Sequence, residues 1–317
     1  MKRHILVLVK LGVSLALLGY LFSTTDLSAL MRRVRSGDLL LVSAAVLLYI
    51  LMLGLATWRW GLLLQAQGFP APLRHLSASY LVASFFNNFL PSNIGGDVIR
   101  VRDSSRFTGS TATSLAVVAI DRVLGFGALY ALAAIAFLAG DQSVRGLIGA
   151  RPVIFALGVV FAGLAYVFFR PGTTGRLMAA LGLSRVGWLR RQFEVVQTAV
   201  HVYRERVGSV LLAFAASLML QALLVLYFYF VAQALRIPLE ADVAFMIVPL
   251  CTLVQAIPVS FNGWGLREGV FILYFSQVGL SRDSALAVSL VGAGLIVLLS
   301  LSGAVVWTSR GAALESA

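Results

Sequence analysis

Three clusters of charge interrupt the apolar stretches of this sequence and hold most of its capacity for chemistry: Asp97 with Arg100, Asp121 with Arg122, and Arg267 with Glu268. An arginine offers a planar fork of donors matched to a phosphate or a carboxylate. A carboxylate beside it either neutralises it or carries a proton in coupled transport. Two of the clusters follow a break in an apolar run. Pro91, Gly96 and Arg100 have the spacing P-x4-G-x3-R, and Pro258, Gly263 and Arg267 repeat it. Proline withholds an amide hydrogen, and Gly95, Gly96, Gly263 and Gly265 permit tight turns, so these residues are expected to shape or hinge a cavity. A helix restarting after each break would point free N–H groups and the positive end of its dipole at an anion. Asn87, Asn88, Ser92, Asn93, Ser260 and Asn262 add uncharged donors nearby, either to bind a ligand or to cap the restarted helices. On this reading Arg100 and Arg267 bind an anionic headgroup with help from Arg122, Asn88 and Ser92. Asp97, Asp121 and Glu268 hold the arginines or meet a cationic headgroup.

A purely structural reading competes with it. Asp97 and Arg100, three residues apart, could form a private ion pair, and so could Asp121 with a neighbouring arginine. Arg267 and Glu268 are adjacent and would point different ways on a helix. Each pair alone fits a structural role; two matched breaks with matched arginines shift the balance toward function. No nucleophile, base and orienting group come together in the sequence, so no catalytic residue is assigned. His4, His75 and His201 lie far apart, and Cys251 is alone in an apolar segment, so no metal site, cofactor or disulfide is expected.

The elements that must position these residues are membrane spans. Of 317 residues, 60% are hydrophobic and 12% charged, against about 25% charged in soluble domains. Charge within hydrocarbon costs at least ~2.5–3.5 kcal/mol per residue unless it is paired or lines a cavity. Lys10 lies close enough to a span end to snorkel. Full spans are predicted at roughly 5–23, 39–58, 111–139, 152–169, 207–235 and 284–308. The broken regions 76–107 and 242–280 are predicted to be re-entrant hairpins, which gives six helices and two hairpins in an all-α integral membrane protein. The N-terminal run reads as an uncleaved first span rather than a signal peptide. The run at 39 recurs at 207 and the run at 111 recurs at 284. The chain therefore reads as one membrane domain over 1–317 with two repeats, about 1–140 and 150–310. Three spans per repeat invert the second relative to the first.

The net charge of +12 is assigned to the cytoplasmic surface and its anionic lipids rather than to nucleic acid. With both termini cytoplasmic, inside segments hold Lys2, Arg3, Arg59, Arg74, Arg170, Arg176, Arg185, Arg190, Arg191, Arg204, Arg206 and Arg310. Outside loops hold Arg32, Arg33, Arg35, Arg145, Arg151, Arg236 and Arg282, and Arg32, Arg33 and Arg35 run against the rule. Over 186–206, Leu189, Phe193, Val196, Val200 and Tyr203 recur at helical spacing among arginines. That pattern reads as a basic amphipathic helix, lying on the inner leaflet or packed under the bundle.

The stretch from Asn87 to Arg100 resembles the first signature of the flippase-like membrane domain of lysylphosphatidylglycerol synthases. Asp121-Arg122 resembles its following acidic-Arg pair, and Pro258 through Gly263-Trp264-Gly265-Leu266-Arg267-Glu268 is similar to its late signature. The resemblance covers nearly the whole chain. It implies movement of phospholipids or other lipid-linked headgroups between leaflets of a bacterial or archaeal cytoplasmic membrane. Some members carry a C-terminal aminoacyl-transferase domain; this sequence stops at Ala317, so it is expected to be a stand-alone member that does not make lysyl lipid. The expected function is a lipid flippase or transporter. The alternatives are a membrane-embedded transferase, or an accessory subunit anchoring a separate lipid synthase. Membrane lipids with anionic or zwitterionic headgroups are the expected partners, with no nucleic acid.

Overall fold

The computed structural model describes residues 12, 15–17, 19–21, 23, 27–90, 95–147, 149–170, 200–256, 260 and 262–315, and among them every regular element is an α-helix. Pro91, Ser92, Asn93 and Pro258 lie outside the described residues, as do Lys10, most of the predicted first span and residues 186–199 of the basic 186–206 segment. The first half contains α1 (Leu27–Arg35), α2 (Leu39–Ala66), α3 (Leu73–Phe89), α4 (Gly95–Thr108), α5 (Thr111–Ala139) and α6 (Gln142–Arg145). The second contains α7 (Ala150–Phe169), α8 (Val207–Ala234), α9 (Ala241–Gln255), α10 (Leu266–Gln277) and α11 (Arg282–Glu315).

Helices α2, α5, α8 and α11 are each long and apolar enough to cross a membrane. The apolar α7 adds 20 residues. They occupy five of the six predicted spans, and the chain is an all-α membrane protein. Local chemistry sets their starts. The Asp38 carboxylate accepts from the amides of Leu40 at 2.8 Å and Leu41 at 3.4 Å, capping α2. The Ser110 hydroxyl accepts from Thr113 N and caps α5. One boundary needs correction. The predicted span 39–58 put Arg59 in an inside segment, but α2 continues through it to Ala66. Leu62, Leu63 and Leu64 sustain the helix, and Arg59 is only 6% exposed.

Each broken region folds as a hairpin. At the first tip, a Cβ on Gly96 would sit 2.2 Å from the Ala83 carbonyl oxygen, so only glycine lets α4 return this closely along α3. At the mouth, the His75 and Phe107 rings lie 5.0 Å apart, so the chain leaves at the level where it entered. In the second hairpin Gln255 Nε2 donates to Asn262 O at 3.1 Å, and Gly265 turns the chain at φ 83° before α10 begins.

The two hairpins enter from opposite ends of the bundle. Arg310, near the end of α11, reaches the first mouth, with Nη1 3.0 Å from Asp103 Oδ2 and Nη2 donating to His75 O at 3.2 Å. The second mouth adjoins the end of α8, where Ala234 O accepts from Asp38 N at the start of α2. The tips meet: Asn262 Nδ2 lies 3.5 Å from Asn88 Oδ1. Packing is crossed between halves. α3 lies on α11, α9 lies on α5, and α2 and α8 run against each other. One apolar core gathers around Tyr227, Met246, Ile247, Phe271 and Phe275, and a smaller one around Trp60, Leu63, Leu64, Leu76 and Tyr203. Leu39, Leu47, Ile50 and Leu51 on α2 and Leu211 and Met219 on α8 stay exposed, as lipid-facing positions should.

Candidate functional site

Three arginines and two aspartates from α2, α4 and α5 converge beside the first hairpin. Asp121 is 1% exposed and takes two guanidinium groups. Arg100 Nη2 donates to its Oδ2 at 2.8 Å, and Arg59 Nε lies 2.7 Å from its Oδ1. The Arg59 contact is off the N–H direction, so it is a charge contact and leaves that N–H without a hydrogen bond. Arg59 also donates from Nη1 to Ser217 Oγ on α8 at 2.7 Å. Asp97 binds Arg122 through Oδ2 and stands 3.5 Å from Arg100 Nη1 through Oδ1. Asp97 and Arg100 are therefore not a private pair.

Arg100 packs against two aromatic rings, 4.7 Å from the Trp60 centroid and 5.1 Å from the Tyr80 centroid. Its Nε is buried with no hydrogen-bond partner among the described residues. A buried donor without a partner costs ~1–3 kcal/mol, a cost that a bound acceptor would remove. Arg59, Tyr80, Asp97, Arg100, Asp121 and Arg122 line a cavity of ≈ 400 Å³. Its walls include Tyr49 on α2, Asn87 and Asn88 on α3, Gln221 on α8, Thr252 on α9 and Ile296 on α11, so both halves of the chain enclose it. Arg122, with a third of its side chain exposed, is the most open of the charged groups. Asn87 accepts from Gly96 N at 2.8 Å, so it caps the restarted helix while also facing the cavity.

Arg267 and Glu268 form a second, separate cluster. Despite adjacent positions, they pair with each other: Arg267 Nε donates to Glu268 Oε1 at 2.9 Å, and Nη2 contacts the same oxygen. The expectation that they would point apart rested on helical spacing alone and left out capping. They instead occupy the first turn of α10, where Glu268 Oε2 folds back to accept from Gly265 N at 2.7 Å. Ser289 on α11 closes the network, accepting from Arg267 Nε and donating to Glu268 Oε1, each at 2.9 Å. Trp264 lies against the guanidinium at 4.9 Å. The restarted helix thus has its own carboxylate where a ligand anion was expected. Neither Arg267 nor Glu268 is among the residues lining the cavity.

The clusters also differ in depth. Arg59 precedes the end of α2 by seven residues and Asp121 follows the start of α5 by ten. At 1.5 Å per residue they sit ~10–15 Å from the end of the bundle that carries the first mouth. Ser289 follows the start of α11 by seven residues, ~10 Å from the opposite end. Of the sequence-assigned residues, Asn88, Asp97, Arg100, Asp121 and Arg122 come together; Arg267 and Glu268 stand apart; Ser92 lies outside the described residues. Gly95 and Gly96 open α4, while Gly263 and Gly265 form the second turn. Arg59, Tyr80, Ser217 and Gln221 were missed. The signal for Arg59 was its setting between Trp58 and Trp60 ahead of a leucine run, and for Ser217 and Gln221 their polarity inside an apolar span.

Comparison with known proteins agrees that the chain is a membrane protein. A "UPF0104 membrane protein" of Methanothermobacter thermautotrophicus is 24% identical over 277 residues, covering 81% of each chain. The profile of the family described as "Lysylphosphatidylglycerol synthase TM region" matches residues 7–303. With both hairpins and all three charged signatures inside that match, the chain belongs to the lysylphosphatidylglycerol synthase TM region family, membrane proteins tied to lipid metabolism.

Proposed function

We propose that this protein is a lipid flippase that takes an anionic lipid headgroup into the cavity between the hairpins and passes it between leaflets of the cytoplasmic membrane. The observation that carries the reading is Arg100, a buried arginine packed against Trp60 and Tyr80 that lines the cavity and whose Nε has no hydrogen-bond partner among the described residues. A phosphate oxygen supplies that acceptor once the side chain turns toward the cavity, since Nε itself is closed off in this conformation. Arg122 is the mobile partner: it exchanges Asp97 for the arriving phosphate, and Asn88 and Ser92 supply uncharged donors. Arg267 and Glu268 form the matching station toward the opposite end, closed on itself in this conformation. Two inverted repeats, about 1–140 and 150–310, account for the paired stations, with the first mouth cytoplasmic. Exchange between the stations is the alternating-access step.

The direct test is leaflet translocation of labelled phosphatidylglycerol by the purified protein in liposomes. The wild type should move it faster than protein-free vesicles, and Arg100→Ala should return the rate to that background. A wild-type rate equal to background for phosphatidylglycerol, phosphatidylethanolamine and a polyprenyl-phosphate sugar alike would sink the proposal. The family description favours a second reading, an accessory role beside a lipid synthase. Co-purification of a lipid-modifying enzyme, unaffected by Arg100→Ala, would support it instead.

A further inference from the structure

A second cavity lies outside the charged site, between α5 and α7, with a volume of ≈ 890 Å³. Its long walls are apolar: Ala134 and Phe137 on α5 face Ile154, Phe155 and Val159 on α7. Tyr130 stacks on Phe161 at 5.3 Å and closes its deep end. The two charged residues in its lining, Arg145 and Arg151, both stand at one end. From Leu138 back to Tyr130 is eight residues of α5, and from Arg151 to Ala162 is eleven of α7. The groove therefore runs ~12–16 Å inward from the arginines.

Arg145 Nη2 donates to Leu138 O at 2.6 Å, which caps the last turn of α5 and fixes the guanidinium at the groove mouth. Both arginines are exposed, and neither faces a carboxylate at ion-pair distance among the described residues. Among the described helices α7 packs mainly on α5, and Phe155 and Val159 remain 75% and 59% exposed. Among the described residues an apolar trough thus stays open along a membrane helix, with two positive charges at one end that make no ion pair.

We propose that this groove is a binding site for an anionic phospholipid, with one acyl chain along α5 and α7 and the phosphate held by Arg145 and Arg151. It is independent of the central cavity and its substrate. The depth of the trough requires an acyl chain, because a free phosphate would meet only the arginines and gain nothing from the apolar walls. The paired positive charge selects a headgroup with net negative charge over a zwitterionic one. The lipid fills the space that protein packing leaves and joins α7 to the bundle.

The test is native mass spectrometry of the full chain titrated with phosphatidylglycerol or phosphatidylethanolamine. Wild type should retain phosphatidylglycerol in preference. Arg145→Ala with Arg151→Ala should weaken that retention about tenfold or more, and Ala162→Trp, which fills the deep end with both arginines intact, should weaken it too. Arg106→Ala, an exposed arginine at the other end of the bundle, should change nothing, and Arg100→Ala should leave this component intact while altering the central site. Equal retention of the two lipids overturns the proposal. So does undiminished phosphatidylglycerol binding by either groove variant at an unchanged unfolding temperature. If a groove variant unfolds early, phosphatidylglycerol should raise the unfolding temperature of wild type by more than that of the variant, which keeps the central cavity; an equal rise in both overturns it.

Discussion

At the scale of the residue, Asp121 is the hub of the charged site, because two buried arginines depend on it. Removing one partner from a buried ion cluster leaves uncompensated charge, at a cost of about 3–5 kcal/mol. Asp121→Asn should therefore lower thermal stability in detergent by about that amount. The combined replacement Arg59→Met, Arg100→Met, Asp121→Leu should regain most of it, since apolar packing often equals a buried ion cluster. The triple variant should still transport nothing, and this separates the functional role of the charges from any structural one. Unfolding midpoints and translocation rates on the same three preparations decide it. Glu268→Gln should destabilise by a similar route, stranding Arg267 beside Ser289. Much of this chemistry was legible in the sequence: Asp97, Arg100, Asp121 and Arg122 stand out because charge is rare in apolar runs. Arg59 was hidden because the tryptophans beside it resemble a membrane-interface anchor, where spans end. The pairing of Arg267 with Glu268 was hidden because the Glu268 side chain folds back onto the Gly265 amide as a cap, a rotation that residue spacing does not reveal.

At the scale of the element, each hairpin depends on one close approach at its tip and on bonds at its mouth. A methyl group on Gly96 would overlap the Ala83 carbonyl, and overpacking of this kind costs about 1–3 kcal/mol. Gly96→Ala should splay α4 from α3 and raise hydrogen exchange through Gly95–Thr108. Arg310→Ala acts at the other end of the same hairpin, releasing Asp103 and the His75 carbonyl. It should raise exchange in the first turn of α3 and the last turn of α4 while leaving α9 and α10 unchanged. Equal exchange in all four helices would show that Arg310 does not act as a latch. The hairpins themselves were readable from proline and glycine spacing within apolar runs. Their crossed docking, α3 on α11 and α9 on α5, was not, because those partners lie far apart in sequence and share no local pattern.

At the scale of the whole molecule, opposite insertion of the hairpins predicts where water reaches the chain. In a Cys251→Ser background, Arg74→Cys and Arg106→Cys flank the first mouth, and Glu240→Cys and Ser276→Cys flank the second. An impermeant thiol reagent on intact cells should label the second pair and reach the first only after permeabilisation. Labelling of one member of a pair from each side would mean that the hairpin crosses the membrane. The long central helices carry a further consequence. α2 and α8, side by side, have 28 residues each, ~42 Å of helix against a hydrocarbon thickness of ~30 Å. A helix pair that exceeds its bilayer tilts, and it tilts further as the bilayer thins. Arg59 and Ser217 bridge this pair beside the cavity, so hydrophobic mismatch acts on the geometry of the site itself. Under the proposed flippase function, translocation measured in bilayers of graded acyl length should pass through an optimum, with membrane thickness setting the rate.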